Sequence, residues 1–316
     1  MLLPIKLNSV CKEIIWGGNR LKNEYNKAST LNNIAESWEL TVRDDGMNTI
    51  CGGEFDGLTM EEYINKNGFS VVTNKEMDRF PLLIKFIDAE DNLSIQVHPD
   101  DEYGMKTANS LGKTEMWYII DAKPGARLVY GLKDGYTVDM LKEAIENNTV
   151  ENTLNYVPVK KGDVFFIPSG LVHAIGAGIL LAEIQQNSNI TYRVYDYNRK
   201  GKDGKPRELH VSDALNVIVN RTQSEIEKIQ FSTNVKNDTS LASCKYFKVD
   251  KFNIYKACEF STNVESFNSV LCLDGDGYIE YQDNIFPLTK GDSYFIPAEI
   301  GKYSVNGNVE IIISSL

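Results

Sequence analysis

The sequence of 316 residues contains only three histidines, His98, His173 and His210. Imidazole is the commonest metal ligand and a frequent general base, so a site that uses two of these residues limits the chemistry available elsewhere. The five cysteines are widely spaced and include no C-x-x-C pair. An odd number of isolated cysteines predicts reduced thiols and a cytoplasmic protein.

Positive charge is also scarce, with 33 Lys and Arg against 44 Asp and Glu and a net charge of −11. Nucleic acids and anionic membranes require a basic surface, so we exclude both as main partners. No stretch approaches the roughly 20 apolar residues that span a bilayer, and residues 1–6 lack the apolar segment of a signal peptide. An anionic small molecule must therefore be held by a few local cations.

Short β-rich runs bounded by Gly, Pro, Asn and Asp occur along most of the chain. Their spacing predicts a mainly β protein built as an antiparallel sandwich or barrel. The length favours two domains, which we place at residues 1–225 and 226–316. The clearest predicted strands cover residues 82–87, 93–97, 116–120 and 126–130.

Helical patterns are few. Thr59 and Glu62 form a capping-box signal for a helix over residues 59–66, because each side chain can bind an unpaired backbone N–H of the first turn. Thr137 begins a second helix inside a helical insertion near residues 134–157. A third helix is predicted after Ser212, with four residues facing inward: Ala214, Leu215, Val217 and Ile218.

An internal repeat gives the strongest indication of domain organisation. Residues 161–175 align without gaps with residues 290–304, and both begin Lys-Gly-Asp and contain Ile-Pro. Each copy predicts a turn, a strand and a Pro-centred bend. The position of His173 in the first copy is occupied by Lys302 in the second. We therefore predict that the second copy has lost a ligand and is structural, packing against the first.

Strand alternation predicts part of a metal site. Side chains two apart on a strand point to the same face, so Gln96 and His98 can project together. Glu115 lies at the start of another predicted strand, and His173 lies on a third. This set of nitrogen and oxygen ligands suits zinc and also iron, manganese, cobalt or nickel. As an alternative, a histidine beside proline is often a structural turn residue, and glutamine is a rare metal ligand.

Several motifs together resemble one family. The Gly-Asp to His run at residues 162–173 resembles a cupin motif, and Ser-Ile-Gln-Val-His-Pro-Asp at 94–100 is similar to the type I mannose-6-phosphate isomerases. The resemblance is to the short bacterial form and extends from Trp16 to about Ile218, with a degenerate C-terminal copy. Further matching motifs occupy residues 15–18, 36–39, 113–117, 172–174 and 192–197.

The resemblance implies two cupin-like jelly-roll barrels and the reversible interconversion of mannose 6-phosphate and fructose 6-phosphate through an enediol. It implies one zinc ion per chain, bound by Gln96, His98, Glu115 and His173. It implies three catalytic residues: Arg193, Lys113 and Glu183. The substrate contacts it implies are Lys85, Trp16 and Arg199, with Arg199 or Lys200 replacing a lysine that longer members carry after the arginine. The expected partner is a small sugar phosphate, and the expected state is a monomer or homodimer.

Other interpretations stay open at this point. The lysines and Glu183 could be solvated strand residues, and Arg193 could stack on a tyrosine and pair with Asp196. The general base could be Glu183, Lys113 or a metal-bound water. A cupin dioxygenase or a non-catalytic sugar-phosphate-binding protein would have a similar fold. His210 precedes a predicted helix, and we expect it to lie outside the metal site.

Overall fold

The computed structural model describes residues 2–201, 204–222, 224–226 and 239–316. The fold is mainly β, as the sequence predicts. The described residues form these strands: β1 (Ile5–Asn8), β2 (Val10–Lys12), β3 (Glu36–Leu40), β4 (Val42–Arg43), β5 (Gly46–Met47), β6 (Thr49–Cys51), β7 (Leu82–Ala89), β8 (Ile95–Val97), β9 (Glu115–Ala122), β10 (Arg127–Leu132), β11 (Leu154–Pro158), β12 (Val164–Ile167), β13 (His173–Ala174), β14 (Ile179–Gln186), β15 (Tyr192–Tyr195), β16 (Thr239–Ser243), β17 (Lys248–Ile254), β18 (Ala257–Thr262), β19 (Asn268–Tyr281), β20 (Asn284–Thr289), β21 (Ser293–Ile296) and β22 (Gly301–Ser315).

The α-helices are short and lie between strands. Thr59 caps the second helix, since its hydroxyl accepts a hydrogen bond from Glu62 N and its own N–H donates to the Glu62 carboxylate. This reciprocal pair is the predicted capping box. The hydroxyl of Thr137 likewise accepts from Met140 N at the start of the fourth. The helices are α1 (Arg20–Glu24), α2 (Met60–Asn67), α3 (Asp101–Ala108), α4 (Val138–Glu146) and α5 (Val211–Val217).

Two helix predictions need correction. The insertion predicted near residues 134–157 contains α4 and a 3-10 turn at Val150–Thr153, but it ends there because β11 pairs with β10. The helix predicted after Ser212 begins two residues earlier than expected, at Val211. Of its four predicted inward residues only Ala214 is fully buried, and the other three are half-buried.

Two antiparallel sheets form the first barrel. The six-stranded sheet has the order β12-β9-β14-β7-β3-β2, and the five-stranded sheet has the order β11-β10-β13-β8-β15. Apolar side chains from both sheets, including Ile119 and Leu181 from one and Leu128 and Tyr130 from the other, fill the space between them. The functional side chains described below occupy one end of this space.

The six-stranded sheet is covered on both faces. All eight residues of β7 and all eight of β14 are buried. One face packs against the five-stranded sheet, and the other contributes residues such as Phe86 to a core shared with Phe295 of β21. Strands buried on both faces are expected to be almost wholly apolar. The charged residues that β7 and β14 nevertheless contain must therefore be paired.

The two copies of the repeat have the same turn. Gly162 and Gly291 both have a φ of 91°, a backbone conformation that favours glycine. The aspartate that follows each glycine accepts a hydrogen bond from the backbone N–H three residues before it. Asp163 accepts from Lys160 N at 3.0 Å, and Asp292 accepts from Thr289 N at 2.9 Å. This shared geometry supports the predicted duplication.

The nine-stranded sheet contains strands from both ends of the chain. Its main path runs β16-β17-β22-β19-β21-β1-β6, with β18 on β22 and β20 on β19. Strand β1 therefore lies between β6 and β21, a strand of the second repeat copy. The predicted division between residues 225 and 226 stays a prediction, and residues 227–238 that follow it lie outside the described residues. No helix in the described ranges is long and apolar enough to cross a membrane.

Candidate metal centre and active-site cleft

Gln96 lies at the centre of the candidate site. In the five-stranded sheet its Cα partners are His173 on β13 and Arg193 on β15. Directly opposed residues on neighbouring strands project to the same face, so the three side chains share one surface. Residues far apart in sequence thus meet because β8 pairs with both strands.

Three side chains bring possible metal ligands together. His98 Nε2 lies 3.2 Å from His173 Nε2, and Glu115 lies 3.6 Å from the first and 3.4 Å from the second. Ligand atoms of these residues all fall within 4.8 Å of one another, and the three side chains are buried. Among the described residues this is the cluster of histidine, cysteine and carboxylate groups suited to a metal. Three of the four predicted ligands, His98, Glu115 and His173, therefore lie together.

The electrostatics of this cluster also fit a bound cation. Burial and the nearby Lys113 ammonium hold the pKa of His98 well below its usual value, and burial lowers the pKa of His173 to about 4. Both imidazoles are therefore neutral at physiological pH, the form that binds metals. His173 Nδ1 lies 2.8 Å from Leu171 O, which directs Nε2 into the site. Glu115 Oε1 is buried and accepts no hydrogen bond from the described residues.

Gln96 lies beside this cluster as predicted. Its Nε2 is 3.4 Å from His173 Nε2, and its Oε1 accepts a hydrogen bond from Ser94 Oγ at 3.4 Å. The amide oxygen is the ligand atom for a metal, and a half-turn of the amide group would exchange the two atoms. Ser94 precedes Gln96 by two residues and shares its face. Strand alternation is the sequence signal that would have identified Ser94, which the sequence analysis missed.

A row of polar side chains crosses the six-stranded sheet beside the cluster. Glu183 on β14 is the Cα partner of both Lys85 on β7 and Trp117 on β9. Its Oε2 accepts a hydrogen bond from Trp117 Nε1 at 2.8 Å. Its Oε1 lies 3.3 Å from Lys85 Nζ and 3.9 Å from Lys113 Nζ. Lys85 Nζ is also 3.3 Å from Glu36 Oε2.

These charged groups are buried rather than solvated. Lys85, Lys113 and Glu183 are each no more than 4% exposed, so the interpretation of them as solvated strand residues is wrong. Burial alone would raise the pKa of Glu183, but Lys113 and Lys85 lower it below its usual value. Burial would lower the pKa of Lys85, and Glu36 and Glu183 raise it instead. Lys85 and Glu183 are therefore charged at neutral pH.

Lys113 connects the row to the ligand cluster. Its Nζ contacts the Glu115 carboxylate and lies 3.0 Å from His98 Nε2. Burial and Glu183 together raise the pKa of Glu115, which Lys113 opposes. His98 Nε2 and the Glu115 carboxylate, two of the proposed metal ligands, therefore face the Lys113 ammonium.

A cleft of about 470 Å³ opens above these residues. Six of the predicted site residues line it, and they are Trp16, Lys85, Gln96, Lys113, Glu183 and Arg193. Trp16 also belongs to the barrel core, so only part of its surface faces the cleft. Unpredicted lining residues that add polar or aromatic groups to the walls include Lys12, Glu36, Trp38 and Arg207. His210 lies outside the ligand cluster, as expected.

The arginines have different environments. Arg193 donates from Nη1 to Glu208 O at 2.7 Å and from Nε to Ser94 Oγ at 3.2 Å, so its hydrogen bonds go to neutral groups. Arg199 does not line the cleft. It pairs with Asp196 at 2.5 Å and donates to Asn92 O at 2.5 Å.

Arg207 lines the cleft while forming two hydrogen bonds to Asp196, at 2.7 and 2.5 Å. It lies in the loop between β15 and α5, where no periodic pattern predicts which side chains turn inward. No signal in the single sequence would have identified it.

Comparisons with known proteins point to one family. The family model for the catalytic domain of type I phosphomannose isomerase matches residues 4–126, and the model for the cupin domain of mannose-6-phosphate isomerase matches residues 237–316. The chain is 36% identical over 321 residues to a mannose-6-phosphate isomerase of Bacillus subtilis, with 99% of each chain covered. It is 34% identical over 314 residues to that of Streptococcus mutans, covering 99% of this chain and 98% of the relative.

A crystal structure of the mannose 6-phosphate isomerase from Bacillus subtilis superimposes with a TM-score of 0.88 at 34% identity, and 99% of each chain is covered. The cupin-like fold expected from the sequence is confirmed. On identity over nearly the whole length, this chain belongs to the type I phosphomannose isomerase family.

Proposed function

We propose that the protein interconverts mannose 6-phosphate and fructose 6-phosphate with zinc bound by Gln96, His98, Glu115 and His173. The observation that carries the proposal is the buried His98-Glu115-His173 cluster at a cleft that also contains Glu183 and Arg193. Relatives covering the whole chain are named for this activity.

The reaction moves a carbonyl between C1 and C2, and the high-energy species is the enediol anion formed when a proton leaves the adjacent carbon. A divalent metal supplies Lewis-acid stabilisation of the oxygen that becomes negative. The protein must provide a base for the proton, fixed positive charge for the anion and a contact for the phosphate.

Glu183 is the proposed base. It lines the cleft, lies beside the proposed ligands without being one of them, and remains ionised because Lys113 and Lys85 lower its pKa. Trp117 donates a hydrogen bond to Oε2, whereas Oε1 lies 3.3 Å from Lys85 Nζ. We assign to Oε1 the transfer of the proton from the substrate carbon to the neighbouring carbon.

Lys113 and Arg193 are the proposed cations for the enediol anion. Lys113 Nζ lies within 3.9 Å of Glu183, so positive charge stands close to the base. Arg193 forms hydrogen bonds to neutral oxygen atoms, which leaves its charge available to an anion. An arginine does not deprotonate at physiological pH, so we assign it orientation and charge stabilisation rather than proton transfer.

For the phosphate we propose Arg207 in place of Arg199. Both guanidinium groups contact Asp196, but Arg207 lines the cleft. Arg199 then offsets the negative charge of Asp196 and leaves Arg207 better able to bind an anion. Charge-assisted hydrogen bonds of this kind explain how a chain with a net charge of −11 can hold a sugar phosphate.

The other readings receive less support. A cupin dioxygenase has no use for the buried Lys85 and Lys113, and the relatives described above are named as mannose-6-phosphate isomerases. Zinc as the native metal, the cytoplasmic location and a monomeric or homodimeric state stay predictions. The five cysteines are free, in keeping with the reduced state expected.

The test is a coupled assay for fructose 6-phosphate formation on protein of defined metal content. We expect turnover that is lost after removal of the metal by a chelator and restored by zinc. Fully metallated protein without turnover would refute the proposal.

A further inference from the structure

Asp101 has an unusual position relative to the candidate site. It follows His98 by three residues and begins α3, yet its carboxylate points away from the cleft. Oδ1 accepts hydrogen bonds from Gly112 N at 3.0 Å and from Gln186 Nε2 at 2.8 Å. Oδ2 accepts from Tyr246 OH at 2.6 Å and lies 3.5 Å from Lys245 Nζ. One carboxylate therefore joins four separate segments of the chain.

Gln186 continues this network to the residues of the site. Its Oε1 accepts from Thr114 N at 2.9 Å, and its backbone N–H donates to Thr114 O at 3.1 Å. Gln186 is only 3% exposed, so water does not readily replace these bonds. Thr114 lies between Lys113 and Glu115. The network thus holds the backbone from which both side chains extend.

The same region leaves little room for movement. Lys113 N donates to Pro99 O at 3.0 Å, next to His98. A Cβ added to Gly112 would lie 2.4 Å from the carbonyl carbon of Asp100, so only glycine permits this close approach. Asp101 therefore fastens the segment that carries His98 to the segment that carries Glu115.

The contact between Asp101 and Tyr246 links the site to the nine-stranded sheet. Tyr246 lies in the turn between β16 and β17, two strands of the nine-stranded sheet. We infer that Asp101 is a positioning residue that fixes the Lys113–Glu115 segment against the His98 segment, with Tyr246 connecting it to the C-terminal sheet. The nine-stranded sheet, whose described residues include no such ligand cluster, would then support the cluster in the first barrel.

The inference rests on the proposed function for the identity of the metal site, but its main test does not depend on turnover. Zinc affinity is measured by competition with a chelator, and amide exchange of Gly112 and Thr114 is measured by NMR on metal-free protein. For D101A we expect zinc affinity to fall about tenfold or more, as is typical when a partner that orients a ligand is lost. Exchange of both amides should accelerate while exchange in β22 does not change.

Two further variants separate positioning from general stability. D101N retains an oxygen for Gly112 and Gln186 and an amide group for the Tyr246 hydroxyl, so its zinc affinity should remain within about threefold of the parent. Y246F should lower the affinity measurably and less than D101A. The matched control is Y118F, which removes a 3.0 Å hydrogen bond from Tyr118 to Glu310, another contact with the nine-stranded sheet. It should leave zinc affinity unchanged.

Equal zinc affinity and equal amide exchange in D101A and the parent would overturn the inference. So would equal effects of Y246F and Y118F, which would indicate a general loss of sheet packing. If the parent binds zinc without isomerising the sugar phosphate while D101A still binds zinc weakly, the proposed function fails and the positioning role stands.

Discussion

Lys85 and Glu183 face each other across β7 and β14, with Lys85 Nζ 3.3 Å from Glu183 Oε1 in an interior where neither residue is more than 3% exposed. Removing one member of a buried pair leaves the other charge without compensation, which is strongly destabilising. The chain retains this pair beside a cleft, where it holds the carboxylate ionised and oriented. The role of Glu183 is therefore the first to test.

Replacing Glu183 by glutamine should lower kcat about a hundredfold or more, because general bases contribute roughly 10²–10⁴-fold to rate. Metal content should be retained. Glu36 offers a matched control, since its carboxylate also lies 3.3 Å from Lys85 Nζ. E36Q should lower kcat less than tenfold, and similar losses in both variants would argue against Glu183 as the base.

Alanine replacements at the two corresponding positions of the repeat, His173 and Lys302, test which barrel binds the metal. Replacing His173 by alanine removes a ligand from the buried cluster, so we expect the metal to be lost on dialysis. Lys302 has the corresponding position in the second copy, but its side chain is 82% exposed and lies 3.7 Å from Glu259. K302A should retain full metal content by elemental analysis. Metal loss in K302A alone would move the site to the other barrel.

The two arginines that contact Asp196 form a second matched pair. R207A should raise KM for the sugar phosphate about tenfold or more, since hydrogen bonds to charged groups contribute roughly 1.5–3 kcal/mol. R199A should raise KM less, because Arg199 lies outside the cleft lining. Inhibition by inorganic phosphate should weaken in parallel in R207A. A larger increase in KM for R199A than for R207A would indicate that Arg199 contacts the phosphate.

Replacement of Arg193 should lower the catalytic rate without changing the metal content. R193A should reduce kcat by orders of magnitude while zinc content is unchanged. R193K keeps a charge but loses the planar fork, so partial activity is expected. Steady-state kinetics with metal analysis of the same samples makes the comparison, and an unaffected rate in R193A would remove the catalytic role.

The pH dependence of stability should contain a contribution from Asp196. Burial would raise its pKa, but Arg207 and Arg199 hold it below the ordinary value of 3.8. A carboxyl group with a depressed pKa stabilises the folded state above its unfolded pKa, and this stability is lost as the pH falls through the folded value. D196N should therefore unfold at lower urea than the parent at pH 6, with a smaller difference at about pH 3.5. A difference that stays constant with pH would contradict the assignment.

Part of the predicted ligand set follows from two local patterns in the sequence. Strand alternation places Gln96 with His98, and the repeat marks His173 by comparison with Lys302. Burial of Lys85 and Glu183 did not follow from spacing, since a charge after an apolar run is compatible with either environment. Only the pairing of β7 with β14 brings them together.

Loop residues were harder to predict. Arg199 and Arg207 both follow a turn in which Tyr197 and Asn198 have positive φ values of 56° and 53°. Such a turn changes the chain direction without a periodic pattern, so the sequence does not show which arginine faces the cleft. The end of the predicted insertion at residues 134–157 was also not visible in the sequence. Strand β11 forms there because it pairs with β10, not because of a pattern in its own residues.

The place of β1 in the nine-stranded sheet has a consequence for biosynthesis. Lys6 next to its centre pairs with Asp292, 286 residues later, in the turn of the second repeat copy. When β1 leaves the ribosome, β21 has not been translated, so one edge of β1 stays unpaired until Ser293–Ile296 has been made. A nascent or prematurely terminated chain exposes that edge together with Ile5 and Leu7, and an unpaired apolar strand readily joins another chain. Translation of the second repeat copy therefore covers an edge through which an incomplete chain can aggregate.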